Sequence, residues 1–156
     1  MKRTAFMIGL FVSVAPASAQ DDKPSIERGR FLVTITGCNG CHTAGYDEAK
    51  GDIPESEWLM GSTVGFRGPR GTSYASNLRI LFPYWSEDGW VDYVRKSFHS
   101  LWPPMPWYDV QKMSEPDLRS VHMFISSLGR AGTKTPNVVY PGKDPGGTNI
   151  TFPGAR

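Results

Sequence analysis

The chain has 156 residues, enough for one modest domain, and 39% of them are hydrophobic and 12% aromatic, enough to build a core. Its formal charge of +2 owes both units to Lys2 and Arg3, so from residue 20 onward 15 basic residues face 15 acidic ones. That balance offers no signal for nucleic acid or for any strongly charged partner.

The first 19 residues read as a secretory leader. Met1-Lys2-Arg3-Thr4 is a short basic start, the 11 residues from Ala5 to Ala15 are apolar, and Ala17-Ser18-Ala19 supplies the small residues of a cleavage site. Eleven residues are too few to span a bilayer as a helix. Export to the periplasm is expected, with cleavage near Ala19–Gln20. No second apolar stretch is long enough to cross a membrane, so the mature chain is expected to lack a transmembrane helix. The expected domain runs over residues 20–129.

Ser25 is placed to cap a helix from Ile26 to about Ile35, with Ile26, Gly29, Leu32 and Val33 on one face. A glycine inside a helix is unfavourable, so Gly29 suggests either a close helix crossing or a tolerated defect. Directly after comes Cys38-Asn39-Gly40-Cys41-His42. Two thiols two residues apart followed by histidine form the attachment pattern of c-type haem: each thiol can add to one vinyl group, and His42 can ligate the iron. A thiol–disulfide pair is the main alternative, but it expects a preceding strand rather than a helix. A zinc site would need two more ligands, and the only other histidines are His99 and His122. With both cysteines assigned to haem, no structural disulfide is available.

After a polar segment, residues 58–82 read as an ordered, glycine-punctuated loop rich in apolar side chains, suited to covering a haem face. Within it Arg67 and Arg70 could meet haem propionates or stand solvated. Ser86 should cap a second helix from Glu87 to about Phe98, with Trp90, Val91, Val94 and Phe98 buried. His99 reads as a surface or loop residue.

Leu101 to Tyr108 set Met105 among three prolines. Proline fixes its own φ and restricts the residue before it, so this segment can present one side chain rigidly. A thioether is a neutral, soft ligand for haem iron, and Met105 follows His42 by 63 residues, room for the chain to pass around the group. Met60, Met113 and Met123 read as core filler. Ser114 should cap a third helix, Glu115 to Leu128, ended by Gly129, with Leu118, Val121, His122, Ile125 and Leu128 at helical spacing and Asp117 at the position of a capping-box acid. This helix is the expected partner of the Gly29 face. Residues 130–156 carry four prolines and five glycines and read as an extended tail, lying on the domain or reaching for a partner, rather than a second domain.

These pieces resemble the class I cytochrome c fold. They are similar more narrowly to the haem units in cytochrome subunits of bacterial periplasmic dehydrogenases acting on alcohols, sugars or aldehydes. The segments that carry the likeness are Gly71 to Leu78, Trp85-Ser86-Glu87-Asp88, Pro104-Met105-Pro106-Trp107 and Met113 to Leu118, over about residues 26–129. The resemblance implies an all-α fold of three or more helices and ordered loops around one covalent haem c. Cys38 and Cys41 would be thioether-linked, and His42 and Met105 would be the axial ligands. It also implies a hydrogen bond from His42 to a proline carbonyl, Pro54 or Pro69.

The expected work is one-electron transfer rather than catalysis, either as a free periplasmic carrier or as the electron-accepting subunit of a dehydrogenase. The redox partners could lie on the dehydrogenase or the terminal-oxidase side. A sensor or peroxidase would instead need Met105 off the iron.

Overall fold

The computed structural model describes residues 23–96 and 105–152. The leader and its cleavage site, Phe98, His99, Pro103 and Pro104 lie outside the described residues.

The chain begins with α1 (Ile26–Ile35), whose N-terminus is closed by Ser25: its hydroxyl accepts the Arg28 N–H at 3.1 Å. One turn on, α2 (Cys38–His42) holds the two cysteines and the histidine. Turns and a short 3₁₀ segment, Glu55–Glu57, lead to the region expected as loop. Here the structure corrects the expectation. Strands β1 (Gly65–Gly68) and β2 (Gly71–Tyr74) form an antiparallel hairpin, Gly68 opposite Gly71, around the two-residue turn Pro69-Arg70. A single helical turn, α3 (Leu78–Leu81), follows, capped by the Asn77 side chain.

Helix α4 (Glu87–Lys96) starts at Ser86, whose hydroxyl accepts the Gly89 N–H at 3.0 Å, and buries Trp90, Val91 and Val94. The short α5 (Trp107–Val110) follows Met105 and Pro106, and α6 (Glu115–Ser127) is capped by Ser114. Asp117 does not close a capping box. Its carboxylate reaches across to Arg28 on α1 at 2.7 Å, and that guanidinium holds the carboxyl below its usual range.

Beyond Gly129 the chain runs back along the domain. Val139 bridges to Thr72, and β3 (Asn149–Thr151) adds to the hairpin parallel to β1, giving the order β2-β1-β3. The fold is therefore mainly helical with a small three-stranded sheet, rather than all-α. No helix among the described residues is long and apolar enough to cross a membrane.

The centre is the crossing of α1 over α6. A Cβ on Gly29 would collide with the Ser120 carbonyl and stand 2.7 Å from the Phe124 Cβ, so glycine is what allows the two backbones to meet. Leu32 and Val33 pack from α1, and Leu118, Phe124 and Ile125 from α6; all are buried.

Candidate functional site

Beside this crossing lies an apolar cavity of about 730 Å³, within the ~300–1,000 Å³ common for bound organic ligands. It is walled by segments far apart in sequence. α2 contributes Cys38, Cys41 and His42, the hairpin and the segment after it contribute Phe66 and Tyr74 to Ser76, and α4 contributes Trp90 and Tyr93. Met105, Trp107, Met113 and, from α6, Val121 and Ile125 complete it. All four residues singled out in the sequence thus line one cavity.

His42 is fixed at two points. Its ring Nδ1 lies 2.7 Å from the Ser76 carbonyl. A carbonyl only accepts, so Nδ1 carries the proton and Nε2 keeps the lone pair that could bind a metal. The backbone carbonyl of His42 accepts the Gly61 N–H at 2.6 Å. Gly61, at φ +83°, has no room for a side chain: a Cβ would stand 2.8 Å from the Asn77 nitrogen and 2.9 Å from the Ala75 oxygen. The acceptor is Ser76, neither Pro54 nor Pro69; the segment that leaves the hairpin after β2, not a proline loop, runs alongside the ring. Burial pushes the His42 pKa down, opposed by the Ser76 bond.

The turn that carries the cysteines has its own brace. Thr43 donates from its hydroxyl to the Asn39 side-chain oxygen at 2.7 Å and accepts the Leu59 N–H at 2.8 Å, all three residues being buried. Burial is the main influence raising the thiols of Cys38 and Cys41, reinforced at Cys41 by the charge of Asp47. A dithiol oxidoreductase depends on a lowered thiol pKa. These surroundings, with a helix rather than a strand in front, run against that alternative. Among the described residues no three His, Cys, Asp or Glu side chains gather as a metal site.

The rest of the wall is aromatic. Trp85 stacks on Tyr93 at 4.9 Å between ring centroids and on Trp90 at 5.7 Å, and Phe82 packs against Trp85 and Trp90. The buried His122 joins this group, its Nε2 2.8 Å from the Trp85 carbonyl oxygen, and so belongs to the wall's support. Met113, expected as core filler, also reaches the cavity. Arg67 and Arg70 stand exposed on the hairpin and do not line it.

One helical turn brings two thiols and a ring nitrogen to the cavity, another segment brings a soft thioether, and the enclosure is apolar; these residues fit a planar macrocycle such as haem. The chain is cytochrome c-like.

The comparisons agree. The chain is 29% identical over 132 residues to the cytochrome c subunit of a quinone-type alcohol dehydrogenase from Gluconobacter oxydans (strain 621H), covering 78% of this chain and 26% of that protein. It is 24% identical over 118 residues to a fructose dehydrogenase cytochrome subunit from Gluconobacter japonicus, covering 70% of this chain and 22% of that protein. The chain therefore spans about a quarter of the length of these relatives. No family model matches, and neither does any solved structure.

Proposed function

We propose that this chain is an exported, periplasmic mono-haem c protein that accepts electrons one at a time from a dehydrogenase, as a cytochrome subunit or close partner of that enzyme. The observation that carries the reading is the convergence of Cys38, Cys41, His42 and Met105 on one apolar cavity. Similarity to two dehydrogenase cytochrome subunits favours this over a free carrier.

Haem held there would supply a one-electron Fe(III)/Fe(II) couple. The chain's residues do the rest. Cys38 and Cys41 offer sulfurs for two thioether links. His42 offers Nε2, while its Nδ1–H bond to Ser76 fixes the ring's orientation and makes the ring a stronger donor. Met105 offers a neutral thioether, which favours the reduced state. Phe82, Trp90, Val121 and Ile125, each under a tenth exposed, keep water from the interior of the site.

The test is expression with a c-type maturation system and an export signal. Haem bands that survive acid–acetone extraction are expected, and Cys38→Ala/Cys41→Ala should abolish them. The oxidised protein should show a weak iron–sulfur absorption that Met105→Ala removes and Met113→Ala leaves in place. Covalent haem lacking that band in the wild type would move the reading to a haem with an open coordination site. Reduction of the oxidised protein by a quinone-type dehydrogenase and its substrate should be fast. Failure of that step, with the spectra intact, leaves a carrier serving another donor.

A further inference from the structure

We infer that Asn77 is a positioning residue for His42, and that through it the segment after α6 sets the donor strength of the iron-binding ring. The inference rests on the haem reading above.

The carbonyl that orients His42 belongs to the peptide unit joining Ser76 to Asn77. That unit is planar, so the Ser76 oxygen and the Asn77 nitrogen move together. Fixing the Asn77 backbone therefore fixes the acceptor to which the His42 ring is tied at 2.7 Å. Asn77 is 3% exposed and its side chain is fully engaged. Its oxygen accepts the Ile80 N–H at 3.2 Å, capping α3. Its amide nitrogen donates to the carbonyls of Ala131 and Thr133 at 2.8 and 3.1 Å. Only an amide offers one acceptor and two donors from a single short side chain. Serine or aspartate could cap α3, but neither could donate to both carbonyls.

The flanking backbone is tied as well. Ser62 N–H donates to the Ala75 carbonyl at 3.2 Å and Leu78 N–H to the Leu59 carbonyl at 2.9 Å. What the side chain of Asn77 adds is the link to residues 131–133, which no other bond to this peptide supplies. Gly132 makes that link possible: at φ +72°, a Cβ there would stand 2.8 Å from the Asn77 amide nitrogen.

The hydrogen bond at Nδ1 raises the basicity of a ligating histidine, and a stronger donor favours the oxidised metal. Loosening Asn77 should therefore raise the reduction potential. The experiment measures the potential of haem-loaded full-length protein for wild type, Asn77→Ser, Gly132→Ala and Ser25→Ala. Asn77→Ser keeps a cap for α3 and removes the link. Gly132→Ala breaks the same link from the other side, leaving Asn77 in place, and decides the matter alone if Asn77→Ser does not fold. Ser25→Ala removes a cap on α1 away from the cavity and reports on general loosening; none of these changes alters charge.

The expected result is a shift of the oxidised–reduced equilibrium by about tenfold, about 59 mV for one electron, in both link variants. The iron–histidine vibration should weaken in parallel, and neither change should appear in Ser25→Ala. Potentials of the two link variants that match Ser25→Ala overturn the inference while leaving the haem reading intact. A wild-type protein without covalent haem overturns the reading itself, and shows at the first spectrum.

Discussion

The α1–α6 crossing and the cavity wall beside it are built on different principles. The crossing is two regular helices meeting at Gly29, held by close van der Waals contact along Leu32, Val33, Phe124 and Ile125. The wall is assembled from α4, one face of α6 and shorter pieces between them, and single side-chain bonds to backbone carbonyls tie these together: His42 to Ser76, His122 to Trp85, Trp90 to Leu118. The crossing draws its stability from area and tolerates little change of volume. The wall leaves an apolar hollow for a partner group to fill, so its precision depends on a few directional bonds. A scaffold that must hold one ring nitrogen in one orientation gains from this division, because the rigid part need not be rebuilt when the wall is tuned.

The sharpest way to break the contrast is Gly29→Ala. The added methyl would strike a backbone carbonyl, which cannot rotate away as a flexible side chain could. A destabilisation of about 3 kcal/mol is expected, at the upper end for overpacking. Thermal unfolding of the haem-loaded protein should show a fall of about 10 °C. A fall of only a degree or two would mean that the crossing yields, and that its rigidity is no different from the wall's.

The same contrast explains what could be read from the sequence. The crossing was legible because helices advertise themselves locally. Ser25 and Ser114 cap as expected, α1 spans Ile26–Ile35, α6 ends within a residue of the expected Leu128, and Gly29 signals a close approach. Cys38, Cys41 and His42 stand out in the sequence because the motif they form is contiguous, and the structure sets all three along one cavity. The hairpin at 65–74 was hidden by its glycines, although Phe66, Thr72 and Tyr74 flanking a Pro-Arg turn carried a weak strand signal. The Ser76 acceptor could not have been found, because a carbonyl oxygen is the same on every residue and only the fold selects which one lies beside the ring. For the same reason the Asn77 link leaves no trace in the sequence: Asn77 falls in the segment Gly71 to Leu78 that carries the family likeness, but nothing there says what its side chain holds.

Arg79 is the second test, and it probes the join between the two regions. This buried arginine was not singled out in the sequence. It donates to the carbonyls of Ser56, Leu128 and Gly129, closing the C-terminal end of α6 while tying α3 to it. Arg79→Leu would strip three backbone carbonyls of their charge-assisted hydrogen bonds, at a cost of about 2 kcal/mol. Arg79→Lys should recover little, since one ammonium cannot reproduce the planar fork. Full recovery by lysine in denaturant unfolding would show that charge alone matters there, and that the join is looser than the bonds suggest.

The smallest effect is expected at the rim of the crossing, where Arg28 and Asp117 pair at 2.7 Å with the arginine side chain 44% exposed. Solvent screening limits such a pair to less than about 1 kcal/mol. Its pH dependence has a definite sign. The Asp117 carboxyl sits below its ordinary value of 3.8 in the folded chain, chiefly through its hydrogen bond from Arg28. Its contribution is therefore present above about pH 4 and is lost as the pH falls through the lowered folded value. Asp117→Asn should be slightly less stable than wild type at pH 7, and the two unfolding curves should converge at acid pH. The gap should also shrink in high salt. A gap that persists below pH 3, or that ignores salt, would assign the effect to side-chain packing between the helices rather than to charge. The rim would then follow the close-packing rule of the crossing it borders.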